Sequence, residues 1–176
     1  MTQRRPALAL VALALAACGP SDGDASSRVP LGIEIRGLAA TDIGQIQLTV
    51  LSHAVSYNCL DLQTTCLRGK VLKNDGTPIA DLVQLKDEKG VAHNSLRFTV
   101  DGTAVTSTAG QTFELRMPPG QNYLVVAEVL SKDSPAAKLL ASGCNLVGTV
   151  EGGDNRAVVV NTTALAAPAD CKVEID

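Results

Sequence analysis

Five cysteines, Cys18, Cys59, Cys66, Cys144 and Cys171, carry most of the chemistry open to this chain. A thiol can ligate a metal, attack a substrate, accept an acyl group or pair with another thiol, and spacing decides among these. No C-x-x-C or H-x-x-x-H spacing is present. His53, Cys59, Cys66 and His93 therefore do not form a zinc pattern, and no metal or cofactor is expected. His53 and His93 are the only imidazoles for general-base work, and neither lies beside an obvious nucleophile or a G-x-S-x-G elbow. Glu114, Glu128, Asp133 and Glu151 are scattered along the chain. Glu128 interrupts an apolar run, so it must find a partner or keep its proton, and it is expected at an edge or where a face opens to water. On these grounds the chain is not expected to be an enzyme.

Cys18 differs from the other four cysteines in its surroundings. Arg4 and Arg5 precede Ala7 to Ala17, a run without a charged or polar side chain and too short to span a bilayer stably. The last four residues of this leader segment, Leu15-Ala16-Ala17-Cys18, resemble the lipobox of bacterial lipoproteins. That resemblance implies cleavage before Cys18 and acylation (palmitate-type chains) of its sulfur and new amino group. Each buried methylene contributes about 0.8 kcal/mol, so two or three chains hold a protein durably to a membrane. Gly19 follows in place of the aspartate that retains enterobacterial lipoproteins in the inner membrane. By analogy the outer membrane is expected, with the leaflet left open. An ordinary secretion signal is the alternative, but setting Cys18 aside leaves an even number of cysteines, suited to pairing in an oxidising compartment.

Residues 1–17 are thus read as a cleaved signal peptide, and 18–30 as the lipidated cysteine with a flexible tether. Residues 31–176 are read as one folded domain. The stretch GPSDGDASSRVP, Gly19 to Pro30, is small, polar and turn-rich. It would span about 20 Å on average and about 40 Å at full stretch. Losing Arg4 and Arg5 takes the net charge from −3 to −5. With no sizeable basic cluster, nucleic acid is not an expected partner. The aromatic side chains are Tyr57, Phe98, Phe113 and Tyr123 alone, so the core must be chiefly aliphatic.

Period-two alternation dominates the domain. It runs through Leu31-Ile33-Ile35, Ile46-Leu48-Val50, Leu96-Phe98-Val100 and Phe113-Leu115-Met117. Tyr123 to Leu130 and Ala157 to Val160 are apolar on both faces and are expected to be central strands. No segment shows convincing helical periodicity. Turn signals at Asn74-Asp75-Gly76, Asp101-Gly102, Pro118-Pro119-Gly120 and Gly152-Gly153-Asp154 separate the strands. The fold expected is all-β, a single antiparallel β-sandwich. Cys59 pairing with Cys66 and Cys144 with Cys171 is the most local of three connectivities, and Cys171, Val173 and Ile175 would lie on a last strand.

Gly69-Lys70-Val71, Asp75-Gly76-Thr77-Pro78-Ile79, Val83 and Leu85 resemble the opening of carboxypeptidase-regulatory-like domains. Phe113-Glu114-Leu115, Pro118-Pro119-Gly120 and Tyr123 resemble a later strand–turn–strand of the same family. Asp81-Leu82 departs from the small pair usual there, and one extra residue separates Gly120 from Tyr123. The resemblance implies a prealbumin-like sandwich acting as a structural or adhesive module. The layout as a whole is also similar to small lipoproteins of myxobacteria. A non-enzymatic envelope module that holds a surface protein is therefore expected, and exposed sheet edges would be the means. The alternative is a small-ligand carrier or an enzyme with a pocket built from loops.

Overall fold

The computed structural model describes residues 26–63, 66–101, 103–104, 111–132, 137–170 and 175. Nine strands among them form one sheet: β1 Ser27–Arg36, β2 Ile43–Leu51, β3 Leu85–Lys86, β4 Ala92–His93, β5 Leu96–Thr99, β6 Gln111–Met117, β7 Gly120–Ser131, β8 Leu139–Val150 and β9 Val158–Ala169. Their order is β4-β3-β6-β1-β9-β8-β7-β2-β5. The fold is all-β, but the sheet is mixed. β1 runs parallel to β9, Leu31 to Arg36 lying against Val158 to Thr163, while the other pairs are antiparallel. In place of a purely antiparallel sandwich, one continuous sheet coils round its own interior.

Alternation explains the interior. Val29, Leu31, Ile33 and Ile35 of β1 enter the same core as Ile46, Leu48 and Val50 of β2, and Phe113, Leu115 and Met117 of β6 join them. Tyr123, Val125, Ala127 and Val129 supply the β7 share. Each fully buried aliphatic side chain contributes about 1.5–3 kcal/mol. β7 and β9 are interior strands in the sheet order, as expected, although Val159 leaves the second face of β9 exposed. β1 begins at Ser27 with Ser27 and Val29 buried, so the last four residues of the expected tether belong to the sheet.

The Pro118-Pro119 step does not make a hairpin, because β6 and β7 are separated in the sheet by β1, β9 and β8. The chain crosses from one wall of the coil to the other. At this corner the Tyr123 hydroxyl lies 3.2 Å from the Pro118 carbonyl and 3.4 Å from that of Pro119, donating to both. A Cβ on Gly120 would strike that hydroxyl, which is why glycine stands there.

β7 is apolar on both faces because both are covered. Its outer residues Leu124 and Val126 pack under a cap formed by residues 52–82, with Leu51, Leu62, Leu67 and Val71 in the same cluster. The cap holds two short helices, α1 Cys59–Gln63 and α2 Arg68–Val71. Neither is long enough to print a helical period on the sequence. Gly69-Lys70-Val71, the supposed opening of a regulatory-like strand, lies within α2. Ile175 is buried in the cap cluster but lies in no strand, and β9 ends at Ala169.

Candidate functional site

The thiols settle into a pattern the sequence did not favour. Cys59, on α1, is bonded to Cys144, on β8, with Cα atoms 5.9 Å apart and a sequence separation of 85. This overturns both local pairings, Cys59–Cys66 and Cys144–Cys171. Cys66 is also disulfide-bonded, to a partner outside the described residues. Cys18 and Cys171 lie outside them too, as do the expected signal peptide and most of the expected tether. The observed bond ties the cap to the sheet it covers.

Beneath the cap lies Glu128, 2% exposed and well inside the sheet. The expectation of an edge or a water-facing site is therefore corrected. Its position follows from register, since Gln47 of β2 and Ser142 of β8 stand opposite it. Gln47 Nε2 donates to Glu128 Oε2 at 2.7 Å, and the Leu67 amide of the cap donates to Oε1 at 3.2 Å. Arg97 of β5 donates to Gln47 Oε1 at 2.7 Å, holding the Gln47 amide with its NH₂ toward the acid. Burial pushes the Glu128 carboxyl above the usual carboxylate range. The Gln47 bond, the Leu67 bond and the Arg97 charge oppose that rise without cancelling it. Among the described residues Ser142 Oγ and Thr49 Oγ1 find no partner, though both are buried in the same part of the sheet.

Arg97 also lines a cleft of about 520 Å³ at the open seam of the coil. Leu96, Arg97 and Phe98 of β5 form one wall, Glu114 and Arg116 of β6 the other, and the 86–89 turn closes one end. Among the described strands β5 pairs with β2 alone, so its other side faces this seam. The Val100 amide bonds to the Gly44 carbonyl, and by alternation the Thr99 amide points away from β2. The walls meet through Phe98 and Phe113, ring centroids 4.9 Å apart, a side-chain contact where a ladder would close the barrel. Glu114 is partnered with Arg116 at 3.0 Å.

A second groove, of about 540 Å³, opens where β8 and β9 part company. Pairing runs only to Ser142 and Thr163. Beyond that point Asn145 Nδ2 donates to the Val159 carbonyl at 2.8 Å in place of a backbone bond.

Each histidine sits in a polar cluster, His53 on a loop and His93 on β4. His53, in the left-handed region at φ 55°, shares its Nδ1 between Asp81 Oδ1 at 3.0 Å and Ser52 Oγ at 3.3 Å. A serine relay needs carboxylate and hydroxyl on opposite ring nitrogens, so this arrangement does not activate Ser52. Tyr57 donates to Asp81 Oδ2 at 2.7 Å. The phenol is pushed up to about 12, by burial first and then by Asp81, whose own carboxyl is held low by that bond. His93 Nε2 lies 3.5 Å from Asp87. Among the described residues no group of three metal-ligating side chains gathers. Lys70 is exposed on the cap and donates to the Asp61 carbonyl, Asn161 is exposed on β9, and Glu151 is exposed beyond β8. Asp133 lies outside the described residues.

No protein-family model matches the chain, and no curated protein matches it. A solved structure described as a pilus-presented adhesin, Spy0125 (Cpa), is similar at 14% identity with a TM-score of 0.27. The match covers 78% of this chain and 27% of that one, so the chain spans about a quarter of the adhesin's length. At so loose a superposition, fold and function rest on the residues above.

Proposed function

We propose that this protein is a lipid-anchored lipoprotein of the bacterial envelope, in the outer membrane. Its β-domain is a non-enzymatic module that holds an extended segment of another envelope protein. The observation that carries the binding role is the seam. Among the described residues β5 ends the sheet order, with the Thr99 amide turned away from β2 beside a cleft that has apolar Leu96 and Phe98 on its wall. A strand at the end of a sheet, beside an apolar cleft, is a place where an extended segment can add to the ladder. The Cys59–Cys144 disulfide suits an oxidising compartment outside the cytoplasm. The lipobox-like Leu15 to Cys18 supplies the anchor, and the motifs at 113–123 keep a kinship with prealbumin-like structural modules in view.

Two tests separate the halves of this reading. Cys18→Ser should move the protein to the soluble fraction, and unchanged membrane fractionation would reject the anchor. A photo-crosslinker at Thr99 in native envelopes should capture a protein, while one at exposed Val55 on the cap should not. Absence of a Thr99 adduct would reject the edge.

A further inference from the structure

β8 and β9 differ in charge from the rest of the sheet. In a chain that is 19% charged, these neighbouring strands of 12 residues each carry no Asp, Glu, Lys or Arg. Charge returns at once outside them, at Lys138 and Glu151 and at Arg156 and Asp170. By contrast β1 turns Arg28, Glu34 and Arg36 outward, and β6 turns the Glu114–Arg116 ion pair outward. On the uncharged face two aliphatic side chains stand in the open, Leu146 at 55% exposure and Val159 at 41%. Leu146 lies opposite Leu124, which occupies the outer face beneath the cap, and Val159 alternates with the buried Val160. The bond from Asn145 to the Val159 carbonyl brings Val159 beside β8. Exposed Leu60 borders the patch, because Cys59 before it is bonded to Cys144, two residues from Leu146 on the same face.

We propose that this β8–β9 face rests on the lipid surface to which the chain is anchored, with Leu146 and Val159 entering the headgroup boundary. The inference rests on the lipid anchor at Cys18 put forward above. An exposed apolar patch marks a protein or a membrane contact, and where the chain leads selects the membrane. The nine steps from Cys18 to Ser27 span at most about 32 Å, and Val159 lies beside Gly32, about 17 Å along β1 from Ser27. The acylated residue can therefore lie in the bilayer while the face lies on it. Of the two strands flanking β1, β6 would bring its ion pair to the lipid, whereas β9 offers Val159, Asn161 and Thr163 and desolvates no charge. Glu34 and Arg36, at the far end of β1, pair with each other at 2.8 Å. The orientation also serves the seam. β8 is the third strand from β5 on one side and from β6 on the other, so the seam lies across the coil, turned away from the lipid.

The test places a photo-crosslinking residue at Leu146, Val159 or Val91 of the full chain in native envelopes. Val91 is a comparably exposed apolar residue, at 52%, in the turn between β3 and β4 on the seam side. Mass spectrometry of the same material reads both the acylation of Cys18 and the adducts. Lipid adducts are expected at Leu146 and Val159 and not at Val91. Equal lipid labelling at Val91, or adducts from Leu146 to a protein, a second copy of this chain included, would overturn the proposal. An acylated Cys18 without lipid adducts at Leu146 or Val159 overturns the face and leaves the anchor standing, whereas a bare Cys18 removes the anchor and the face with it. Wild type gives a check free of substitution. In phosphatidylcholine nanodiscs with nitroxide headgroups, the methyl signals of Leu146 and Val159 should be lost while those of Val91 persist, and persistence of all three ends the proposal.

Discussion

Replacing Cys59 and Cys144 together by alanine tests where the domain's stability comes from. The bond closes a loop of 85 residues, and in the chain-entropy account its loss frees the unfolded chain by about 4.5 kcal/mol. The local Cys59–Cys66 pairing would have been worth about 2.4 kcal/mol on the same basis. For a domain of this length each kcal/mol moves the melting temperature by about 2–4 °C. The double variant should therefore melt about 9–18 °C lower, where loss of the small loop would cost about 5–10 °C. Calorimetry under non-reducing conditions reads this directly. Urea unfolding should also show a steeper m-value, because the released chain exposes more surface. A drop below about 5 °C with an unchanged m-value would refute the loop-closure reasoning.

Two further expectations concern single residues. A Cβ at Gly143 would fall against the Asn161 carbonyl and the Thr162 backbone, neither of which can swing away, whereas one at Gly148 meets open space on the same strand. Gly143→Ala should cost about 1–3 kcal/mol in chemical denaturation and Gly148→Ala should cost nothing, and equal effects would contradict the close approach of β8 and β9. The Asp81 carboxyl is held low, first by Tyr57, so its stabilisation is present above the ordinary carboxylate range and lost as pH falls through its folded value. Asp81→Asn should narrow the difference in melting temperature between pH 6 and pH 3, and an unaltered difference would deny the cluster that role.

Alternation alone placed the core. Leu31 to Ile35, Ile46 to Val50 and Phe113 to Met117 enter the interior as their spacing requires, because a strand inverts its side chains at every residue. The two-faced apolar runs marked β7 and β9 as interior strands, and in β7 both faces are indeed covered. Glu128 was visible as an anomaly in its run, and Gln47 and Arg97 stood on the outward parity of their strands. Nothing in the letters said that three strands would align them.

What the chain's letters could not determine is whatever depends on residues far apart meeting. The parallel junction of β1 with β9, the crossing of the core at Pro118-Pro119 and the Cys59–Cys144 bond are of this kind. Local period fixes which face of a strand is buried, but strand order and thiol pairing are decided by loop closure and packing over tens of residues. Glu128 shows the division most plainly. Sequence identified a carboxyl that needed a partner, and the cap, folding back from residues 52–82, supplied the Leu67 amide that meets it.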